Sequence, residues 1–225
     1  FAYGNNVWVA MGHGHLYHSS NAMTWTLALT GNCHRLLYAD NQFMTIRDMG
    51  SGVGKSYTSS DGVTWTEGGN TLTTPESDKG FLIFGNGVHL YGEDDTGWFR
   101  RSTDDGVTWT TVSAMASGEP CRITFANGRF IRVQTSSNTG ENHVEYDYNY
   151  YSSTDGLNWS HTKYDLLSLG FPSFQTEDIR SANNQFWAHS YGALYRSSDG
   201  ISWTQVSREH HLAVSNGNGT YVACG

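Results

Sequence analysis

Four aspartates in this 225-residue chain stand in nearly identical company. Asp61, Asp105, Asp155 and Asp199 each precede a glycine and lie four residues ahead of a tryptophan, Trp65, Trp109, Trp159 and Trp203. An aspartate so placed can accept backbone N–H bonds across a tight turn, while glycine supplies left-handed backbone and tryptophan packs beneath as an apolar wedge. The four are therefore read as structural staples, not as catalytic acids. Arg35 and Arg122 begin equivalent segments and Arg180 lies two residues further along another. Three guanidiniums at one channel mouth could hold an anionic ligand by bidentate bonds, and structural ion pairs are the competing reading. Glu145, Asp147, Tyr148 and Tyr150 crowd one segment, and Trp98 and Tyr191 fall in other variable ones. Rings there could stack on sugar faces while carboxylates bond hydroxyls. The plain alternative is an ordered loop packing its own tyrosines. His13-x-His15 and His210-His211 lack further ligands at a metal spacing, and Glu93-Asp94-Asp95 lacks the alternation of a calcium loop. Neither a phosphate-cradling glycine loop nor a Ser-His-Asp order is visible, and no metal or cofactor is expected.

The elements that must position these residues are announced by repetition. Ser59-Ser60-Asp61-Gly62-Val63-Thr64-Trp65 recurs as Thr103-Asp104-Asp105-Gly106-Val107-Thr108-Trp109, Ser153-Thr154-Asp155-Gly156-Leu157-Asn158-Trp159 and Ser197-Ser198-Asp199-Gly200-Ile201-Ser202-Trp203. An earlier copy, Ser19-Ser20-Asn21-Ala22-Met23-Thr24-Trp25, has Asn-Ala for Asp-Gly, so its turn is expected to be looser. The five tryptophans recur every 40–50 residues, the period of propeller blades. A second motif alternates with the first: Asn5-Asn6, Asp40-Asn41, Asn86-Gly87, Asn127-Gly128, Asn183-Asn184 and, more loosely, Asn216-Gly217-Asn218-Gly219, each between short apolar runs. These residues accept the positive φ of a two-residue hairpin turn. Each repeat is thus two hairpins, or four antiparallel strands. The expected architecture is an all-β propeller in a single domain, residues 1–225. Its blades run near 1–30, 31–70, 79–115, 121–165 and 178–207, with half of a sixth at 211–225, and a five-bladed ring is the rival. If both turn types lie at one end of the blades, the ligand face is the other end, formed by segments 11–16, 47–56, 92–98, 134–150 and 189–193 with the links between blades.

The five copies resemble the Asp-box, or BNR, repeat of sialidase-like β-propellers, and the resemblance covers nearly the whole chain. The usual Ser-x-Asp-x-Gly-x-Thr-Trp spacing is met in full by Ser102-Thr103-Asp104-Asp105-Gly106-Val107-Thr108-Trp109, and the other copies set Asp directly before Gly. Such propellers include hydrolases, lectin-like modules and viral fibre domains, so the resemblance implies the fold more firmly than the activity. A sialidase would use three arginines on a carboxylate, a tyrosine with a glutamate partner and an acid aspartate. The chain has no Arg-Ile-Pro motif, and its prolines, Pro75, Pro120 and Pro172, stand in other contexts.

Composition narrows the classes. Charged residues make up 15% of the chain, the net charge is −8, and there are 26 glycines, 13 tyrosines and 8 tryptophans. Such a chain is neither a disordered tail nor a coiled coil. Its acidity argues against nucleic acid as partner, and no apolar run suits membrane insertion. Cys33, Cys121 and Cys224 are widely spaced and odd in number, so their oxidation state stays open. The start at Phe1 suggests a piece of a longer or processed protein. Asn158-Trp159-Ser160 and Asn218-Gly219-Thr220 are sequons, the first awkwardly inside a turn. The leading expectation is a non-enzymatic recognition or adhesion module for a glycan or host-surface ligand, extracellular or on a virion appendage such as a phage tail fibre. Other chains of a larger assembly are possible partners. The alternatives are a sialidase-like glycoside hydrolase and a purely structural component.

Overall fold

The computed structural model describes residues 1–73, 80–93, 98–113, 123–140, 143–165, 179–190, 193–208, 213–217 and 220–224. They form strands and turns only, grouped in two compact units, Phe1–Ala116 and Ser117–Gly225. In the first unit one antiparallel sheet holds β1 (Ala2–Gly4), β2 (Val7–Gly12), β3 (His15–Ser19) and β4 (Thr26–Leu29). The next holds β5 (Asn32–Ala39), β6 (Gln42–Gly50), β7 (Val53–Ser59) and β8 (Thr66–Glu67), with a short β9 (Leu72–Thr73) also on β7. The third holds β10 (Gly80–Gly85), β11 (Val88–Glu93), β12 (Trp98–Ser102) and β13 (Thr110–Ser113). In the second unit the fourth sheet holds β14 (Ile123–Ala126), β15 (Arg129–Gly140), β16 (His143–Ser153) and β17 (Ser160–Asp165). The fifth holds β18 (Ile179–Ala182), β19 (Gln185–Ser190), β20 (Ala193–Ser197) and β21 (Thr204–Ser207), and a sixth pair is β22 (Ala213–Gly217) with β23 (Thr220–Cys224). The protein is a β-propeller of five full blades and half of a sixth.

The first two strands of each full sheet meet at a two-residue turn. Asn5-Asn6, Asp40-Asn41, Asn86-Gly87, Asn127-Gly128 and Asn183-Asn184 all have positive φ at both positions, the type I′ geometry that matches strand twist. Successive sheets within a unit bury apolar faces against each other. Val9, Leu16, Cys33 and Phe43 join the first and second, Met44, Ile46, Leu82, Tyr91 and Trp109 the second and third, and Ile131, Tyr148, Tyr150, Phe186 and Tyr195 the fourth and fifth. One sequence position recurs in this packing. Phe43, Phe130 and Phe186 are fully buried just after their turns, Trp8 stands at the same place in the first sheet, and the third sheet has His89.

Two expectations about the opposite end are corrected. In the first two sheets the segments expected to be irregular close with tight turns at His13-Gly14 and Ser51-Gly52, again with positive φ at both positions. Segment 134–150 is mostly strand. β15 and β16 pair continuously from Phe130↔Ser153 to Gly140↔His143, so the tyrosines lie in a ladder and not in a loop.

Candidate functional site

The acid turns are built by side-chain capping. Asp61 Oδ1 accepts the N–H groups of Val63 and Thr64 at 2.8 and 2.7 Å and the Ser59 hydroxyl at 2.9 Å. These backbone donors hold its carboxyl down at about 2. Asp155 and Asp199 repeat the pattern, with the N–H groups of Asn158 and Leu157 pulling Asp155 well below the usual carboxylate range. In the third sheet the staple is Asp104, not the expected Asp105. Asp104 accepts from Thr108 N, Thr108 Oγ1 and Ser102 Oγ, because the partner serine lies two residues before the acid, as in every copy. Asp105 is the extra residue of this longer turn and takes φ +55°. The first turn is no looser in its bonding. Asn21 Oδ1 accepts from Met23 N, Thr24 N and Thr24 Oγ1, while Ala22 bears φ +59° where glycine stands elsewhere. Trp109 is the fully seated wedge, its indole donating to Gly106 O at 3.0 Å, while Trp65, Trp159 and Trp203 are half-buried and Trp25 is exposed.

Both turn types lie at one end of the sheets. Asn5 Nδ2 donates to Asn41 O and Ser60 O of the neighbouring sheet, and Asn127 Nδ2 donates to Ser198 O at 2.7 Å while exchanging bonds with Asn184. Each unit therefore carries an amide clamp from one sheet's Asn turn to the next sheet's Asn turn and acid turn.

Of the expected ligand residues, Arg35, Arg180, Tyr148 and Tyr150 have described side chains. Arg35 occupies a bulge of β5 at φ +56°, and its Nε donates to Gly80 O of the third sheet, which makes it a link between sheets. Arg180, half-buried on β18 opposite Trp187, belongs to the other unit, and Arg122 lies outside the described residues. Tyr191 and the side chains of Trp98, Glu145 and Asp147 also lie outside them. Tyr148 and Tyr150 are core residues. Their hydroxyls donate to Gly200 O at 3.0 Å and Asp199 O at 2.8 Å, and burial pushes both phenols up. They hold the fifth sheet's acid turn instead of forming a sugar platform. Cys33 is a free, buried thiol raised by burial to about 11. No three of His, Cys, Asp and Glu gather as a metal site among the described residues.

Residues that the sequence reading took only as turn parts do form a concavity. An open groove of about 530 Å³ on the fourth sheet is lined by Arg129, Ser152, Ser153, Thr154, Asn158, Trp159 and Ser160. Arg129 begins β15 directly after the Asn127-Gly128 turn, and Ser152 and Ser160 face each other across β16 and β17 with hydroxyls 2.9 Å apart. Asn158 is fixed by donating Nδ2 to Asp155 Oδ2 at 2.8 Å. One guanidinium, a half-buried indole, hydroxyls and an amide can bond and stack on a polyhydroxylated ring.

No known family's profile matches the chain, and no curated protein matches it. Solved structures do. The chain is similar to YCF48 from Cyanidioschyzon merolae, at 13% identity over 95% of this chain and 74% of that one, with a TM-score of 0.57. It is similar to apo AztD from Citrobacter koseri, at 8% identity over 93% and 72%, TM-score 0.56. The structure of YjhT matches at 10% identity over 81% and 69%, TM-score 0.53. These are β-propeller proteins, and at such identities the likeness concerns the fold alone.

Proposed function

We propose that the chain is a non-enzymatic recognition module of the Asp-box, sialidase-like type. Its ligand is a glycan of a cell or host surface, and it works outside the cell, on a secreted protein or a virion appendage such as a tail fibre. The observation that carries this reading is the groove of the fourth sheet, where Trp159, Arg129, Asn158 and serine hydroxyls line an open, polar concavity. The acids beside such turns accept backbone N–H bonds, and the depressed pKa of Asp61 and Asp155 suits a carboxylate that stays ionised, not one that donates a proton to a leaving group.

One feature favours a hydrolase. Tyr57 donates its hydroxyl to Glu67, and Arg47 lies over the tyrosine ring and donates to its oxygen at 3.2 Å. In this pair burial raises the Tyr57 phenol, and Lys55, bonded to Glu67, holds that carboxyl below its ordinary range, so the glutamate is a weak base for a reluctant nucleophile. Saturation-transfer NMR with mixed sialylated and neutral oligosaccharides, followed for a day, separates the readings. Transfer to a sugar without new signals supports recognition. Released monosaccharide establishes the hydrolase, and silence from folded protein removes both.

A further inference from the structure

We infer that the outer edge of β23 takes an antiparallel strand from a partner polypeptide, of the pattern Tyr-polar-Ser leading into an acid turn. The edge is separate from the groove of the fourth sheet, so the recognition reading above does not depend on it.

Five sheets hold four strands in chain order, the second with β9 besides, and the sixth holds two, β22 and β23. Its register follows that of the others. Gly217↔Thr220 face each other across a two-residue link, as Gly4↔Val7 and Gly85↔Val88 do. In an antiparallel ladder the pair beside such a link exchanges both bonds, and the exchange alternates along the strand. Thr220, Val222 and Cys224 therefore turn their backbone groups to β22. The N–H and C=O groups of Tyr221 and Ala223 turn to the other edge, where no described strand pairs with them. A row of such groups is a template for a further strand, and proteins guard such edges with charge, proline or a bulge. Residues 213–224 contain no Asp, Glu, Lys, Arg or Pro in a chain of net charge −8, and the register of β22 with β23 has no bulge.

The strand that fits occurs five times in the same chain. The residue equivalent to Tyr221 faces the serine that precedes the acid or Asn turn in every full sheet, as Trp8↔Ser19, Phe43↔Ser59, His89↔Ser102, Phe130↔Ser153 and Phe186↔Ser197. One step on, where the sixth sheet has Val222, the third strand offers His18, Thr58, Arg101, Ser152 or Arg196, all polar. Two steps on, it offers tyrosine in four sheets and Arg100 in the third. The second strand has alanine there in the first and fifth sheets, paired as Ala10↔Tyr17 and Ala188↔Tyr195, and the sixth has alanine again, Ala223. The edge is thus in register for a strand with Ser opposite Tyr221 and Tyr opposite Ala223. Main-chain bonds supply the affinity of such an addition, and the cross-strand pairs its specificity. The five third strands described here are all committed to their own sheets, so a partner brings the sixth.

The test uses the purified, isotope-labelled chain and a synthetic peptide of residues 193–207, which carries Leu194-Tyr195-Arg196-Ser197 and its acid turn. The peptide should shift the Tyr221 and Ala223 amides saturably and slow their hydrogen exchange by at least about tenfold. It should also give an NMR cross-peak between the α-protons of Val222 and the peptide's Arg196, which approach closely in a pair that exchanges no hydrogen bonds. N-methylation of the peptide at Tyr195 and Ser197 removes the two donors that face β23 and should weaken binding by at least about tenfold. Ala223→Pro takes a donor from β23 itself and should weaken binding likewise, with the tryptophan indole signals unchanged. Absence of binding, binding that survives N-methylation, or shifts confined to β19 overturn the inference. Tyr221 and Ala223 amides that already resist exchange before peptide is added overturn it too, because this chain or a second copy then fills the edge.

Discussion

Replacing His89 with phenylalanine should stabilise the protein and flatten its sensitivity to mild acid. The position is an aromatic anchor in the other full sheets, as Trp8, Phe43, Phe130 and Phe186. His89 is 3% exposed, its ring lies 4.6 Å from that of Phe84, and its Nδ1 has no hydrogen-bond partner. A buried unsatisfied polar group costs about 1–3 kcal/mol, part of which overpacking by the larger ring would offset. Burial pulls the imidazole down from 6.5 to about 4, against the smaller opposing pull of Asp105 and Asp40. The unfolded chain therefore binds the proton first on acidification. His89's contribution is intact above about pH 6.5 and falls as the pH drops toward 4, by about 3 kcal/mol in all, with about 1 kcal/mol lost between pH 7.5 and 5.5. Urea unfolding of both proteins at those two pH values measures it, because residue 89 is the single difference between them. The variant should be more stable at pH 7.5 and should lose about 1 kcal/mol less at pH 5.5. Equal losses would refute the argument that a neutral imidazole is held in the core.

Other substitutions test the turns and the core. Asp61→Ala should lower stability by about 1 kcal/mol in chemical denaturation, since it removes a cap, whereas Asp61→Asn should be nearly neutral at pH 7, because Asn21 makes the same bonds in the first sheet. The Asn variant should also lose less stability on acidification from pH 4 to 2, the window in which the wild-type carboxylate, at about 2 when folded, takes up its proton. Gly200→Ala should cost more than about 2 kcal/mol, because its Cβ would stand 2.7 Å from Ile131 at φ +76°, while Ala22→Gly, at φ +59°, should gain a few tenths to about 1 kcal/mol. Tyr148→Phe should cost about 1 kcal/mol by removing a bond to Gly200 O and leave sugar binding unchanged.

The blades were legible because their turns are chemically explicit. Asn-Gly, Asn-Asn and Asp-Asn pairs admit only a few backbone conformations, and five of them alternating with five tryptophan turns leave little choice of connectivity. His13-Gly14 and Ser51-Gly52 adopt the same positive φ, but they lack the Asn that marks the other turns and so lie unannounced within segments 11–16 and 47–56. Tyr148 and Tyr150 misled for a physical reason. Tyrosine suits a sugar platform and a half-polar core equally well, and only the register of β15 with β16 shows that the hydroxyls reach the Asp199 and Gly200 carbonyls. Asp104 was legible by counting from serine, and the count from tryptophan chose Asp105 instead. The groove was hidden by its own motif. Asn158 and Trp159 read as turn parts, and Arg129 and Ser152, which complete the lining, belong to no repeated signature.

The proposed recognition without turnover at the fourth sheet is read most directly from the eight tryptophan indole N–H signals of a labelled sample. Titration with mixed sialylated and neutral oligosaccharides should move the Trp159 indole in a saturable way while the sugar spectrum stays unchanged. Movement confined to other indoles, or the appearance of cleaved sugar, would contradict it.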